Sequence, residues 1–412
     1  MKCVGGQRDA ENYTVDRAKM TIRLRMERRF ARWCSSWRVA PCTRAAPPRM
    51  RDKRWLRRQD AGATFQELPV SARPHDLTVS PYASIDSLGE TDDLVAFNVG
   101  PDDAVYMVFA LEPLDYRTEG AGGASFPKTM PSTSQRYRAM AWHGGEVRMD
   151  CVIDNEPFNI HDVQPVGDDL LLVCCRSVRR GDDDFDLNGR FYRRDGTPCG
   201  AILLGDGIEA VQATAAGDIW TSYFDEGVYG NLGWNSPVGE SGLVAWSRAG
   251  EQRYAFAPSP GFGPIDCCYA LNVPNDRDAW IYYYNTFALV RVRDRQTVWS
   301  SRMPVNGSYA FAVMEDATRH DGYLALFCGS YQERDMLYLV RIDGGGDARL
   351  VRTYRLQRNG AEPVGIARMT GRGQVLHAVG TDGNLYRIDR HRHVSNCPRQ
   401  IVMLKTLMPF WV

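Results

Sequence analysis

Between Asp93 and Leu404 one strand-and-turn pattern returns about six times, each copy roughly 45 to 65 residues after the last. The first half of a copy is an apolar run, a polar turn around Asp or Gly and a second apolar run, as in Ile208 to Tyr223 (IEAVQATAAGDIWTSY). The second half is an aromatic strand ending in charge, as in Leu337 to Gly345 (LYLVRIDGG). No copy can cover both faces of its own sheet, and radial packing, in which each sheet covers the next, removes that difficulty. A repeat of this length is one propeller blade. The pattern therefore predicts an all-β chain, a six-bladed β-propeller of four-stranded antiparallel blades. A seventh, degenerate blade is the alternative count, and a linear β-solenoid has much shorter repeats.

The copies align on their second strands: Ala104 to Phe109, Leu170 to Cys175, Ile219 to Phe224, Ala279 to Tyr284, Tyr323 to Cys328 and Gln374 to Val379. Continuous apolar runs rich in β-branched and aromatic residues suit strands buried on both faces. Third strands such as Leu243 to Gly250 and Ala288 to Asp294 end in a turn that leads into a more polar fourth strand, the expected outer edge. For ring closure, Phe65 to Ser80 is expected to add a strand to the last blade, which otherwise ends in Gln400 to Leu407.

The chain is formally neutral, with 50 basic and 50 acidic residues, but the ends differ. Residues 1–60 carry 17 Lys and Arg against 6 Asp and Glu, a charge of +11, and the remainder carries −11. Residues 1–62 lack any steady period and contain Pro41, Pro47 and Pro48. They read as a disordered basic extension, or as sequence upstream of a later start such as Met20, Met26 or Met50, with residues 63–412 forming the propeller. No apolar run is long enough for a secretory signal or a membrane span, so a cytoplasmic setting is expected. Arg51 to Arg58 (RDKRWLRR) could contact phosphates, but the acidic body opposes a polyanion and nucleic acid is not expected as a partner. The 11 cysteines lack CxxC spacing, and the adjacent pairs Cys174–Cys175 and Cys267–Cys268 are expected to be small core fillers.

The aromatic second strand after Gly-Asp (GDIWTSY) and the LYxxD third strand resemble six-bladed propellers of the TolB, NHL and SMP-30 kind. Gly217 to Tyr284 also resembles a bacterial propeller family of unassigned function. The resemblance covers nearly all of Asp93 to Leu404 and implies the fold much more than an activity.

Strands alternate in direction, so the turns from strand two to strand three share one face with the turns entering each first strand. Binding residues concentrate on loops held by a rigid scaffold. The longest insertion on this face, Phe224 to Ser241, interleaves Asp225, Glu226, Tyr229, Asn231, Trp234 and Asn235 with glycine. It can approach a ligand closely or be a solvated loop folded by its own glycines. The starts of first strands bring Asn159, His161, Asp162, Glu209, Asp266 and Asn306 to the same opening, beside Tyr284, Asn285 and Tyr331 at the ends of second strands. The candidate ligand-binding residues are thus His161, Glu209, Asp225, Glu226, Trp234, Asp266, Tyr284, Asn285 and Tyr331, for a small molecule or a protein partner.

Hard cations such as calcium take oxygen ligands of these types. By resemblance to SMP-30-like lactonases, an alternative is a divalent-metal-dependent hydrolase with Glu209, Asp225, Asp266 and Asn285 as ligands. No catalytic residue is identified: the chain has no GxSxG elbow, phosphate loop, HExxH or dinucleotide fingerprint. The HRHVSNC stretch reads as a solvated edge, and Asp182 to Asp186 as a solvated turn.

Overall fold

The computed structural model describes residues 73–85, 93–119, 125–318, 321–358 and 362–389; residues 1–62, Gln400 to Leu407 and the HRHVSNC stretch lie outside them. The strands pair into six antiparallel blades, as the repeat predicts. Blade one is Asp93–Val99, Val105–Ala110, Gln135–His143 and Glu146–Glu156. Blade two is Asp162–Val166, Asp169–Val173, Gly189–Tyr192 and Pro198–Ile202, and blade three is Ile208–Ala213, Ile219–Tyr223, Leu243–Trp246 and Gln252–Ala255. Blade four is Cys268–Asn272, Asp278–Tyr283, Ala288–Arg293 and Gln296–Arg302, and blade five is Phe311–Glu315, Tyr323–Cys328, Met336–Ile342 and Ala348–Arg358. Blade six takes Ile366–Arg372, Val375–Gly380 and Asn384–Asp389 from the C-terminal end of the described chain. No described helix is long and apolar enough to cross a membrane.

The second strands behave as their sequences require: Val105–Ala110, Ile219–Tyr223, Asp278–Tyr283 and Val375–Gly380 are buried throughout. Outer strands alternate, as in Glu146–Glu156, where every buried position is flanked by exposed ones. Between neighbouring blades lies an apolar cluster, six in all, and each draws side chains from two blades. Trp280, Tyr282, Phe311 and Phe327 join blades four and five, while Phe97, Met107, Val379 and Leu385 join blade one to blade six and close the ring. Cys174, Cys175, Cys267 and Cys268 are free and buried, the core fillers expected.

Closure differs in detail from the sequence expectation. The strand completing blade six is Pro81–Ser84, antiparallel to Asn384–Asp389, so the two ends of the propeller clasp. It begins one residue beyond the expected Phe65 to Ser80 segment. From that segment, His75–Thr78 instead pairs parallel with the outer strand of blade five. A proline opening the clasp strand is compatible with an outer edge, where one face of the ladder needs no donor. Tyr82 fixes the clasp by packing on Trp142 of blade one, with ring centroids 5.3 Å apart.

The innermost strands are stitched to one another across the axis by long polar side chains. Gln212 of blade three donates to the Gly371 carbonyl of blade six (2.9 Å) and accepts from the Val273 amide of blade four (2.7 Å). Gln164 accepts from the Ala213 amide (2.9 Å). Arg372 reaches the carbonyls of Val99 (3.1 Å) and Ala213 (2.6 Å), and Asn272 bonds the carbonyls of Phe311 and Gly373 and the Gly373 amide. All four side chains are buried. Buried polar groups of this kind are tolerated because they are satisfied, and together they put a floor across the central channel.

Candidate functional site

Above this floor the channel opens as a pit of about 180 Å³. Every blade contributes to its wall: Phe97 and Asn98 from blade one, His161 and Asp162 from blade two, Glu209 and Gln212 from blade three, Tyr269 from blade four, Tyr309, Tyr331 and Arg334 from blade five, and Arg368 from blade six. His161, Asp162, Glu209, Tyr269, Tyr309 and Arg368 lie at or near the starts of first strands and Tyr331 and Arg334 in a turn from strand two to strand three, the face expected from strand direction, while Phe97, Asn98 and Gln212 lie deeper along first strands.

Two of the acidic groups differ in how they are held. Asp162 is fully engaged: its carboxylate accepts from Asn98 Nδ2 (2.8 Å) and from the amides of Val163 (2.7 Å) and Val211 (3.0 Å). Burial pushes it up to about 6 against the pull of those bonds. Among the described residues the Glu209 side chain makes no hydrogen bond and no ion pair, and burial followed by the neighbouring Asp225 charge pushes its carboxyl up to about 8. At neutral pH it is therefore mostly protonated, a half-buried carboxyl on the pit wall. His161 accepts the Cys175 amide on Nδ1 (3.2 Å), which leaves its proton on Nε2. Burial, with Arg176 and Arg368 nearby, pushes the imidazole down to about 3, so it is neutral.

The opposite wall is aromatic and basic. Tyr309 and Tyr331 stack with centroids 5.0 Å apart at 9°, and the Arg334 guanidinium lies 5.9 Å and 5.4 Å from their centroids. The turn carrying Tyr331 and Arg334 is tight enough that a Cβ on Gly329 would sit 1.9 Å from the Glu333 carbonyl oxygen. Arg368 fastens blade six to blade one by donating to the carbonyls of Leu94 (2.7 Å) and Val95 (2.9 Å).

Of the residues singled out from sequence, the structure brings His161, Glu209 and Tyr331 into the pit wall. Asp225 stands next to Glu209, where its charge is felt, and opens a one-turn helix, Asp225–Tyr229. Tyr284 backs the wall, its ring 5.9 Å from that of Tyr269. The others serve the scaffold. Glu226 pairs with Arg176 (2.5 Å), which also holds Asp206 through two bonds. Trp234 is buried, donating to the Ser177 carbonyl (2.8 Å) beneath Arg179. Its loop folds onto the blade-two insertion, not the channel, and a Cβ on Gly233 would strike the Arg179 carbonyl oxygen at 2.0 Å.

Asp266 accepts from the Tyr229 hydroxyl, and Asn285 is an exposed turn residue with φ 81°. Asn159 is buried and anchors the carbonyls of Asp115 and Lys128. Among the described residues no three His, Cys, Asp or Glu side chains are grouped to hold a metal ion, and of the four candidate ligands only Glu209 and Asp225 are shown to be neighbours. Sequence reasoning missed Tyr269, Tyr309, Arg334 and Arg368. Arg368 was findable as a basic residue in an inner strand (IARMTGR), just past the bulge, at the position that carries Ala96, Ala210 and Ala270 in blades one, three and four.

No family model matches the chain, and no curated protein does. Among solved structures, it is similar to the extracellular domain of a putative hybrid two-component system from B. thetaiotaomicron, at 11% identity and TM-score 0.37, covering 78% of this chain. The match spans 38% of that protein's length. It is also similar to virginiamycin B lyase from Staphylococcus aureus (10% identity, TM-score 0.36, 76% of this chain and 88% of that one) and to the WD40 propeller domain of Doa1 (9%, TM-score 0.37, 76% and 96%). At these identities and scores nothing passes from those proteins to this one, and the propeller rests on its own strand pairing.

Proposed function

We propose that the protein is a binding module, a propeller of the TolB-like kind, whose channel-mouth pit receives a small ligand. Glu209 carries this reading. It is a half-buried carboxyl lining the pit with no side-chain hydrogen bond among the described residues, and groups with pKa values displaced by burial gather at functional sites. Its neighbour Asp162 shows how the same fold satisfies an acid when the acid is structural. The surroundings suit a ligand: a closed floor, tyrosine faces for a flat group, and a neutral His161 with Nε2–H as donor. A cavity of roughly 150 Å³ accepts one benzene ring, so the pit suits a ligand built around one ring, not a macromolecular segment. Free cysteines fit a reducing, cytoplasmic setting.

The reading is tested by thermal-shift screening of single-ring fragments on the wild type and on Ala210→Trp, which fills the pit from its wall. Fragments should raise the wild-type melting temperature and leave the filled variant unmoved. Shifts that persist in Ala210→Trp, or no shift with any fragment, would refute it.

A further inference from the structure

Four first strands carry a bulge near their start, and the residue left out of the ladder there is Val95 in blade one, Glu209 in blade three, Tyr269 in blade four and Ala367 in blade six. Bulges re-aim side chains, and of these four only Glu209 brings a charge. Its charge is felt at Cys175 of blade two, at Cys267 and Cys268 where blade four begins and at Tyr331 of blade five, and Asp225 stands beside it. None of these neighbours is basic. The guanidinium groups of the pit are committed to the scaffold. Arg368 donates to the Leu94 and Val95 carbonyls and its charge acts on Asp162 and His161. Arg334 donates to the Ala367 carbonyl (3.1 Å) and lies against Tyr309 and Tyr331. Arg176, near His161, is held between Asp206 and Glu226. The charges of Asp162 and Asp225 thus offset those of Arg368 and Arg334, and no positive charge is left over for an ionised Glu209. We propose that the pit takes a small organic monocation, an amine borne on a single ring, whose ammonium displaces the proton of Glu209, an inference that rests on the pit being the binding site.

The assignment follows by comparing ligand types. An ammonium supplies the one positive charge that ionised Glu209 lacks and relieves its repulsion with Asp225. Tyr269, Tyr309 and Tyr331 line the same pit from blades four and five, and aromatic rings attract ammonium groups. A single ring then fills most of the remaining space, given a pit of about 180 Å³ and roughly 150 Å³ for one benzene. An anion finds both guanidinium groups already engaged and adds to the acids. A neutral ring leaves the proton on Glu209 and gains only a neutral hydrogen bond. A bare metal ion such as calcium needs six or more oxygen ligands, and among the described residues no three His, Cys, Asp or Glu side chains are grouped to hold one. Asp162 does not compete for the ammonium, because Asn98 and two backbone amides already occupy its carboxylate. The exchange is balanced: the protonated carboxyl gives its proton to the buffer, and the ammonium pairs with the carboxylate that remains.

Benzylamine, benzyl alcohol and benzoate present one ring with a positive, a neutral and a negative group, and each is titrated into the full chain by calorimetry at pH 7. Benzylamine should bind at least about tenfold more tightly than benzyl alcohol, the worth of one charge-assisted hydrogen bond, and benzoate most weakly. Benzylamine binding should release close to one proton, read from the heats in two buffers of different ionisation enthalpy. Its Kd should fall about tenfold from pH 6 to pH 7 and level off above pH 8, because ionised Glu209 is the form that pairs. Glu209→Gln should lose the preference for benzylamine, the proton release and the pH dependence together, and Ala210→Trp should bind none of the three. Benzylamine binding no tighter than benzyl alcohol, or binding that releases no proton, overturns the amine. The pit reading then stands if any other ring fragment shifts the wild type and not Ala210→Trp, and falls if none does.

Discussion

Glu209→Gln should stabilise the protein, and by an amount that depends on pH. In the unfolded chain the Glu209 carboxyl titrates near 4.5, and in the pit it is raised to about 8, chiefly by burial. A raised carboxyl pKa means the folded state holds its proton more tightly, so stability is highest below pH 4.5, falls as pH rises towards 8, and is flat above it. At about 1.4 kcal/mol per pH unit, ionising Glu209 costs roughly 3 kcal/mol at pH 7, and about 2 kcal/mol if water entering the pit screens part of it. Glutamine keeps the volume and cannot ionise. Urea unfolding of both proteins should therefore show a difference below about 1 kcal/mol at pH 5 that widens to about 3 or more at pH 8. Asp162, raised to about 6, and Glu156, raised to about 7, pull the wild-type profile in the same direction, so only the difference between the proteins isolates Glu209. A difference that does not change with pH, or a glutamine variant less stable at pH 8, would show that Glu209 is neither buried nor unpartnered.

Trp280→Ala should cost about 3 to 5 kcal/mol in urea unfolding, since the indole is 3% exposed and lies between Arg291, Trp299 and Tyr323; a wild-type midpoint would contradict the blade-four to blade-five interface. Gln212→Leu should cost about 2 to 4 kcal/mol, because it strands the Val273 amide and the Gly371 carbonyl in the channel floor. A neutral result there would mean that the floor is not continuous. A chain beginning at Ala61 should melt like the full-length protein, whereas one beginning at Asp93 loses the clasp strand Pro81–Ser84 and the core residues Leu77 and Val79 and should lose its cooperative transition. Equal melting of the two truncations would remove the clasp from the account.

The repeat was legible because middle strands are buried on both faces, and burial writes an unbroken apolar run: Tyr323–Cys328 is read from sequence to the residue. The clasp was not, because PYAS is short, opens with an exposed proline and has no buried position to show, so nothing periodic separates it from its surroundings. For the site, strand direction led to the face on which the pit opens, and residue type picked out Glu209 and His161 from its wall. Residue type could not tell which polar groups the scaffold consumes. Glu226, Trp234 and Asp266 have the chemistry of ligand contacts, yet each is committed to Arg176, Ser177 or Tyr229. Those partners come from other blades or insertions and are set by packing. Arg334 and Arg368 were passed over for the converse reason: a search for oxygen donors does not notice the opposite charge.

The most direct test of the pit as the functional site is diffraction from a crystal of the full chain soaked with the tightest-binding probe found in solution. Density for that probe should lie above the Gln212 floor, between Glu209 and the Tyr309–Tyr331 pair, with a donor of the probe within about 3 Å of the Glu209 carboxyl. Density for the probe elsewhere on the propeller, with the pit holding only water, would contradict the account.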